Sequence, residues 1–151
     1  MKMQRRWFIA TAAAAVAGLG ASAPAAAADS ATLVPVSGTV SGAPESVAFA
    51  GNAQVRSRLA KDPDFNAPSL IVTIDLSGVS GTGSMTGRKY AISGPHIVQR
   101  RLAASHTVDV SFPFADASGP PRSGLASFVL GFDTSSGAVT AASGALATPN
   151  F

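Results

Sequence analysis

The sequence predicts an all-β, mainly antiparallel single domain, built as a sandwich or a small barrel, and three observations carry that reading. Leu70, Val72, Ile74 and Leu76 alternate with Ile71, Thr73 and Asp75 in the period of two that marks a half-buried strand. From Asp29 onward Gly, Ser, Thr, Ala and Val dominate, and no stretch keeps an apolar spacing of three and four for the length of a helix. Turn-forming clusters recur between the apolar runs: Ser41-Gly42-Ala43-Pro44, Gly78 to Gly87, and Asp133-Thr134-Ser135-Ser136-Gly137.

Taken in order, Val34, Val36 and Val40 mark a first strand, and Pro35 within it favours an edge position because proline has no N–H to give a ladder. Val47, Phe49, Ala53, Val55 and Leu59 keep one parity over a long run, with Gly51-Asn52 as a bulge or bend. Pairing that run with Leu70 to Leu76, the expected central strand, and matching the apolar faces across the Ala60 to Pro68 loop sets Leu59 opposite Leu70 and Val55 opposite Ile74. Arg56 is then diagonal to Asp75 on the outer face. The glycines of Gly78 to Gly87 predict a flexible loop. Tyr90 and Ile92 begin another strand, Gly94-Pro95 breaks it, and His96 to Leu102 resumes. A hairpin with Val98 opposite Val110 is expected next, because Val108, Val110, Phe112 and Phe114 need one face. Ser123 to Phe132 and Ala138 to Ala147 supply the last two strands.

The first 28 residues form a cleavable export signal: Lys2, Arg5 and Arg6 at the start, an apolar run from Trp7 to Leu19, and Ala26-Ala27-Ala28 before the expected cut at Asp29. Arg5-Arg6-Trp7-Phe8-Ile9 resembles the twin-arginine export signal, whose pattern is two arginines, any residue, phenylalanine and an aliphatic residue. The resemblance implies folding before export and often, though not necessarily, a bound cofactor. Gln4 replaces the usual Ser or Thr, and no basic residue precedes the cut, so the general secretion route stays open beside it. The 151 residues less the 28 of the leader leave 123 for one domain, 29–151. That length buries a core without staples. The expected location is periplasmic or secreted.

Three of the eleven basic residues lie in the leader and none of the eight acidic ones, so the remainder is balanced at eight of each. That balance argues against nucleic acid as a partner. With no cysteine, thiolate metal sites, cysteine nucleophiles and redox pairs are excluded.

No motif rises to a catalytic constellation. Gly81 to Lys89 fails as a phosphate loop, because Arg88 stands between Gly87 and Lys89 and a strand follows where a helix is needed. Asp62, Asp64 and Asn66 have the spacing of the first calcium-loop ligands, but Ala67 replaces the required glycine and Thr73 the bidentate glutamate. His96 and His106 are the only histidines. In the expected hairpin His106 faces Leu102, and six residues at about 3.3 Å each put His96 roughly 20 Å away, too far to share a metal. Arg56, Arg58, Arg88, Lys89, Arg100 and Arg101 form a patch only if their strands are neighbours. Arg56 beside Asp75 and Arg101 diagonal to Asp109 would offset it.

The expectation is an exported soluble β domain with a binding or structural role, holding no metal or cofactor. Its partner is an unspecified small ligand or protein, and its candidate ligand-binding residues are Ser84, Arg88, Lys89 and Tyr90, since exposed loops are where binding residues tend to sit. One alternative is a small extracytoplasmic hydrolase using His96 or His106 with a carboxylate. Another is a small outer-membrane β-barrel, suggested by the terminal Phe151. Against the barrel, Ala145, Ala147 and Pro149 are poor lipid-facing residues, and the domain has one Tyr and no Trp for interfacial girdles, so no stable membrane insertion is expected.

Overall fold

A computed structural model describes residues 31–64 and 66–150; the expected export signal, residues 1–28, and the terminal Phe151 lie outside the described residues. The described chain is all-β: β1 (Thr32–Val40), β2 (Val47–Lys61), β3 (Pro68–Asp75), β4 (Val79–Gly83), β5 (Lys89–Ile92), β6 (Pro95–Arg101), β7 (Ser105–Ala115), β8 (Arg122–Phe132) and β9 (Val139–Ala147).

Period-two patterning dictates which side chains enter the core. Val34, Val36 and Val40 of β1, Val47, Phe49, Ala53 and Val55 of β2, and Leu70, Val72 and Ile74 of β3 are all buried. So are Val108, Val110, Phe112 and Phe114 of β7 and Ala126, Phe128, Leu130 and Phe132 of β8. Burying each of the larger ones contributes roughly 1.5–3 kcal/mol, and together they form one cluster.

Seven strands close into a barrel in the order β1-β9-β8-β7-β5-β4-β2 and back to β1, all antiparallel except β1 with β9. That parallel contact is the single pair Gly38↔Leu146, so Pro35 sits where β1 has no ladder on its β9 side, as an edge proline should. The ring-closing pairs gather at one end: Val47–Gly51 with β4, Lys89–Ala91 with β4, and Ala91 and Ile92 with Ala115 and Phe114. At the other end the second half of β2 pairs with β3, and β3 with β6, so this arm carries the sheet past the ring. The molecule is a closed seven-strand barrel whose sheet the β2–β3–β6 arm extends, the barrel being one of the two architectures the sequence left open.

The expected pairing of β2 with β3 is present: Leu59↔Leu70 and Val55↔Ile74 face each other. β3 and β4 are nearly collinear against β2, with one extra residue between Asp75 and Val79 opposite Asn52 and Ala53. The irregularity therefore faces the Gly51-Asn52 stretch. β3 is not central, however; it lies between β2 and the edge strand β6.

Two further expectations are corrected. Residues 79–83 of the glycine-rich stretch are strand β4, with Gly78 in the turn before it and 84–88 in the turn after it. Its glycines answer a need for space: a Cβ on Gly81 would come within 2.6 Å of the Phe49 and Val47 side chains, and one on Gly83 would overlap the Glu45 carboxylate. Second, β6 and β7 form no ladder. β6 pairs with β3 alone, Val98 standing opposite Val72, while Val110 stands opposite Ala126 of β8. Gly94, with φ +88°, together with Pro95 turns the chain away from β7 just after Ile92 pairs with Phe114.

The polarity of the barrel is apolar inside and polar outside. Ser105, Thr107, Asp109 and Ser111 occupy the exposed parity of β7. A transmembrane barrel has the inverse arrangement. Among the described residues no helix is long and apolar enough to cross a membrane.

Candidate functional site

The register of the β2–β3–β6 arm sets its outer face. Side chains of the parity opposite to the core form rows across the three strands: Gln54, Asp75 and Pro95; Arg56, Thr73 and Ile97; Arg58, Ile71 and Gln99; Ala60, Ser69 and Arg101. Three arginines therefore share one face around Ile71 and Ile97, the latter 71% exposed. Arg56 and Arg58 stand two residues apart on one strand, about 7 Å. Arg101 lies one row beyond Arg58, across β3.

Only half of the anticipated neutralisation is present: Asp75 lies diagonal to Arg56 as expected, but the hairpin that would bring Arg101 to Asp109 is absent. Arg101 stands opposite Ser69, and Asp109 opposite Ser127 on β8. Asp75 is the carboxylate on the face. Its pKa is lowered mainly by hydrogen bonds from the Ser77 amide and hydroxyl, with the field of Arg56 adding to them. The one ion pair within 4.0 Å among the described residues is Arg88–Asp116, at the opposite end of the molecule. Two shallow grooves cross the face. One of about 230 Å³ is lined by Gln54, Arg56, Thr73, Asp75 and Pro95, and one of about 130 Å³ by Arg56, Ser57, Arg58, Ile71 and Thr73. Arg101 also borders a recess of about 400 Å³ at the tip of the arm, with Asp62, Pro68 and Leu102. Guanidinium forks on a fixed sheet suit planar carboxylate or phosphate groups.

The four residues expected to bind ligand lie at the closed barrel end, and the structure splits them. Tyr90 points into the core, its ring edge-on to Phe114 at 5.8 Å and its hydroxyl donating to Glu45 Oε1 at 3.2 Å. Ser84 is exposed in the turn, where its N–H donates to the Ser46 carbonyl. Arg88 reaches Asp116 at 3.1 Å, and Lys89 Nζ donates to Thr82 Oγ1 at 2.8 Å. Arg88 and Lys89, with Asp116, Ala117 and Ser118, border an open recess of about 360 Å³.

Glu45, which sequence reasoning did not single out, organises this end. The residue is 4% exposed. Its carboxylate accepts the amides of Met85 and Thr86 at 2.8 and 2.9 Å, the Thr86 hydroxyl at 2.5 Å and the Tyr90 hydroxyl. The Thr86 hydroxyl, then the Thr86 and Met85 amides, hold its pKa down at about 2. Arg122 Nη1 donates to the Glu45 carbonyl at 2.8 Å and lies over the Phe114 ring. The available signal was a lone acid between Pro44 and the apolar start of β2.

The histidines are placed separately. His96 stands on β6 opposite Ile74, with Nε2 buried and unpartnered, and His106 on β7 opposite Leu130, with Nε2 donating to the Arg101 carbonyl at 2.7 Å. Neither makes a hydrogen bond to a carboxylate. Asp116 and Asp133 are each lowered in pKa, Asp116 mainly by the Ser118 amide and Asp133 by the Ser135 hydroxyl. They are turn-holding carboxylates, with none raised toward general-acid work. Asp62 Oδ1 accepts the Asp64 amide at 2.9 Å within the β2–β3 connection, and no cluster of three metal-ligating side chains occurs among the described residues.

Comparison with known protein families, characterised proteins and solved structures finds no match for this chain.

Proposed function

We propose that this chain is an exported, non-catalytic binding domain that recognises an anionic partner through the outer face of β2–β3–β6. The observation that carries the reading is the gathering of Arg56, Arg58 and Arg101 on one exposed face, none of them in an ion pair within 4.0 Å among the described residues. Arginine pairs bidentately with carboxylate, phosphate or sulfate, and at an exposed site that attraction is screened by salt. Export to the periplasm or beyond is supported by the basic start, apolar run and Ala26-Ala27-Ala28 of the leader. The hydrolase alternative has less behind it, since His96 and His106 lie on strands that do not pair and neither hydrogen-bonds a carboxylate.

The test is retention of the full chain on immobilised polyglutamate at graded salt. The triple variant R56E/R58E/R101E should lose at least tenfold in affinity, and R88E/K89E should stay near the parent. Equal retention of parent and triple variant overturns the assignment. Loss confined to R88E/K89E moves the site to the recess beside Ser84, Arg88 and Lys89.

A further inference from the structure

We infer that the anionic partner is an extended acidic polypeptide segment that joins the free edge of β6 as an added strand; this rests on the proposal that the β2–β3–β6 face binds anions. β6 hydrogen-bonds to β3 along its whole length and, among the described residues, to no strand on its other side. The chain leaves β7 after Ile92↔Phe114 and meets it again only where the Arg101 carbonyl accepts His106 Nε2. Between those ties seven residues, about 23 Å of strand, present alternate N–H and C=O groups outward. Such an edge is a template for one more strand.

The side chains along the edge define what that strand carries. Its outward positions lie beside Ile97, Gln99 and Arg101, and its inward positions beside His96, Val98 and Arg100. An apolar or β-branched residue covers Ile97, and acidic residues meet Arg101 and Arg100 on β6 itself; Arg58 lies two strands further in, on β2. The ladder bonds supply affinity without regard to sequence, and the arginines select acid. The same charges count against a second copy of this chain, which would bring three more arginines onto a continuous sheet. Pro95, at one end of the edge, lacks an N–H and fixes where pairing can begin.

The test selects binders to the full chain from a random peptide display library and then N-methylates the selected peptide position by position. Acidic residues alternating with β-branched ones should be enriched. Methylation at alternate positions should cost at least tenfold in affinity, and alternate β6 amides should gain hydrogen-exchange protection on binding. Acidic peptides that tolerate every N-methyl group and leave β6 exchange unchanged overturn strand addition while leaving the anionic face standing. Enrichment without acidic bias, or no enrichment over background, overturns both.

Discussion

The hydroxyl of Tyr90 donates to Glu45 Oε1 at 3.2 Å inside the closed end of the barrel, so the chain's single tyrosine reports on its buried carboxylate. Burial first, then the hydrogen bond and the charge of Glu45, raises the Tyr90 pKa. A raised folded-state pKa means that the neutral phenol contributes its stability fully below the unfolded value near 10 and loses it as pH rises through the folded one. Tyrosinate absorbance in a pH titration should therefore appear later than for free tyrosine. In E45Q it should shift back toward the ordinary value, and an unshifted parent titration would contradict the burial of this ring.

Glu45 itself runs in the opposite sense. Its ordinary value of 4.5 falls to about 2 in the fold, so its hydrogen bonds contribute above about pH 4.5 and are lost as pH falls from there toward 2. Denaturant midpoints measured from pH 6 to pH 2 should drop across that window, and in E45Q the drop should be shallower and begin from a lower midpoint at pH 6. Identical slopes for parent and variant would remove Glu45 from the acid limb, leaving it to Asp75, Asp116 and Asp133, which are also lowered.

Much of the fold was legible because period two is local. The matching of Leu59 with Leu70 follows from matching the apolar parities across the connection between them. The hairpin of β6 with β7 was misread for a non-local reason: the same apolar parity is satisfied when β6 pairs with β3, and only the three-dimensional path after Gly94 decides between them. That one choice also hid the arginine face, since it moved Arg101 from beside Asp109 to the row next to Arg58. β4 was misread because its glycines make room for Phe49 and Glu45, a need that belongs to the neighbours and leaves no mark in the stretch itself.

The space argument at β4 has its own test. Gly81→Val puts methyl groups where the Phe49 and Val47 side chains already lie, and overpacking of this kind costs about 1–3 kcal/mol. Ser80→Val, on the exposed parity of the same strand, should change stability by no more than about 0.5 kcal/mol. Equal effects at the two positions in urea unfolding would show that β4 is the loose loop its composition suggests.

Ile74 and Ile97 separate the two faces of the arm. Ile74 is fully buried opposite Val55, and truncation to Ala should cost about 2–5 kcal/mol. Ile97, 71% exposed, should cost no more than about 0.5 kcal/mol on truncation. Thermal unfolding of both variants reads the contrast. A cost at Ile97 comparable to that at Ile74 would mean that something covers the outer face in the free chain, and the proposed docking surface would already be occupied.

Hydrogen exchange reads the edge itself. A strand paired on one side has alternate amides in the ladder and alternate amides facing water, whereas a strand paired on both sides protects every amide. β3, between β2 and β6, should therefore show continuous protection from Ser69 to Asp75. β6 should show protection that alternates residue by residue from His96 to Arg101, Pro95 having no amide to report. The part of β7 before Phe114 should alternate likewise, because β8 is its only ladder there. Continuous protection in both β6 and β7 would mean that the two strands pair after all. Arg101 would then return to the neighbourhood of Asp109, and the cationic face would lose one of its three members.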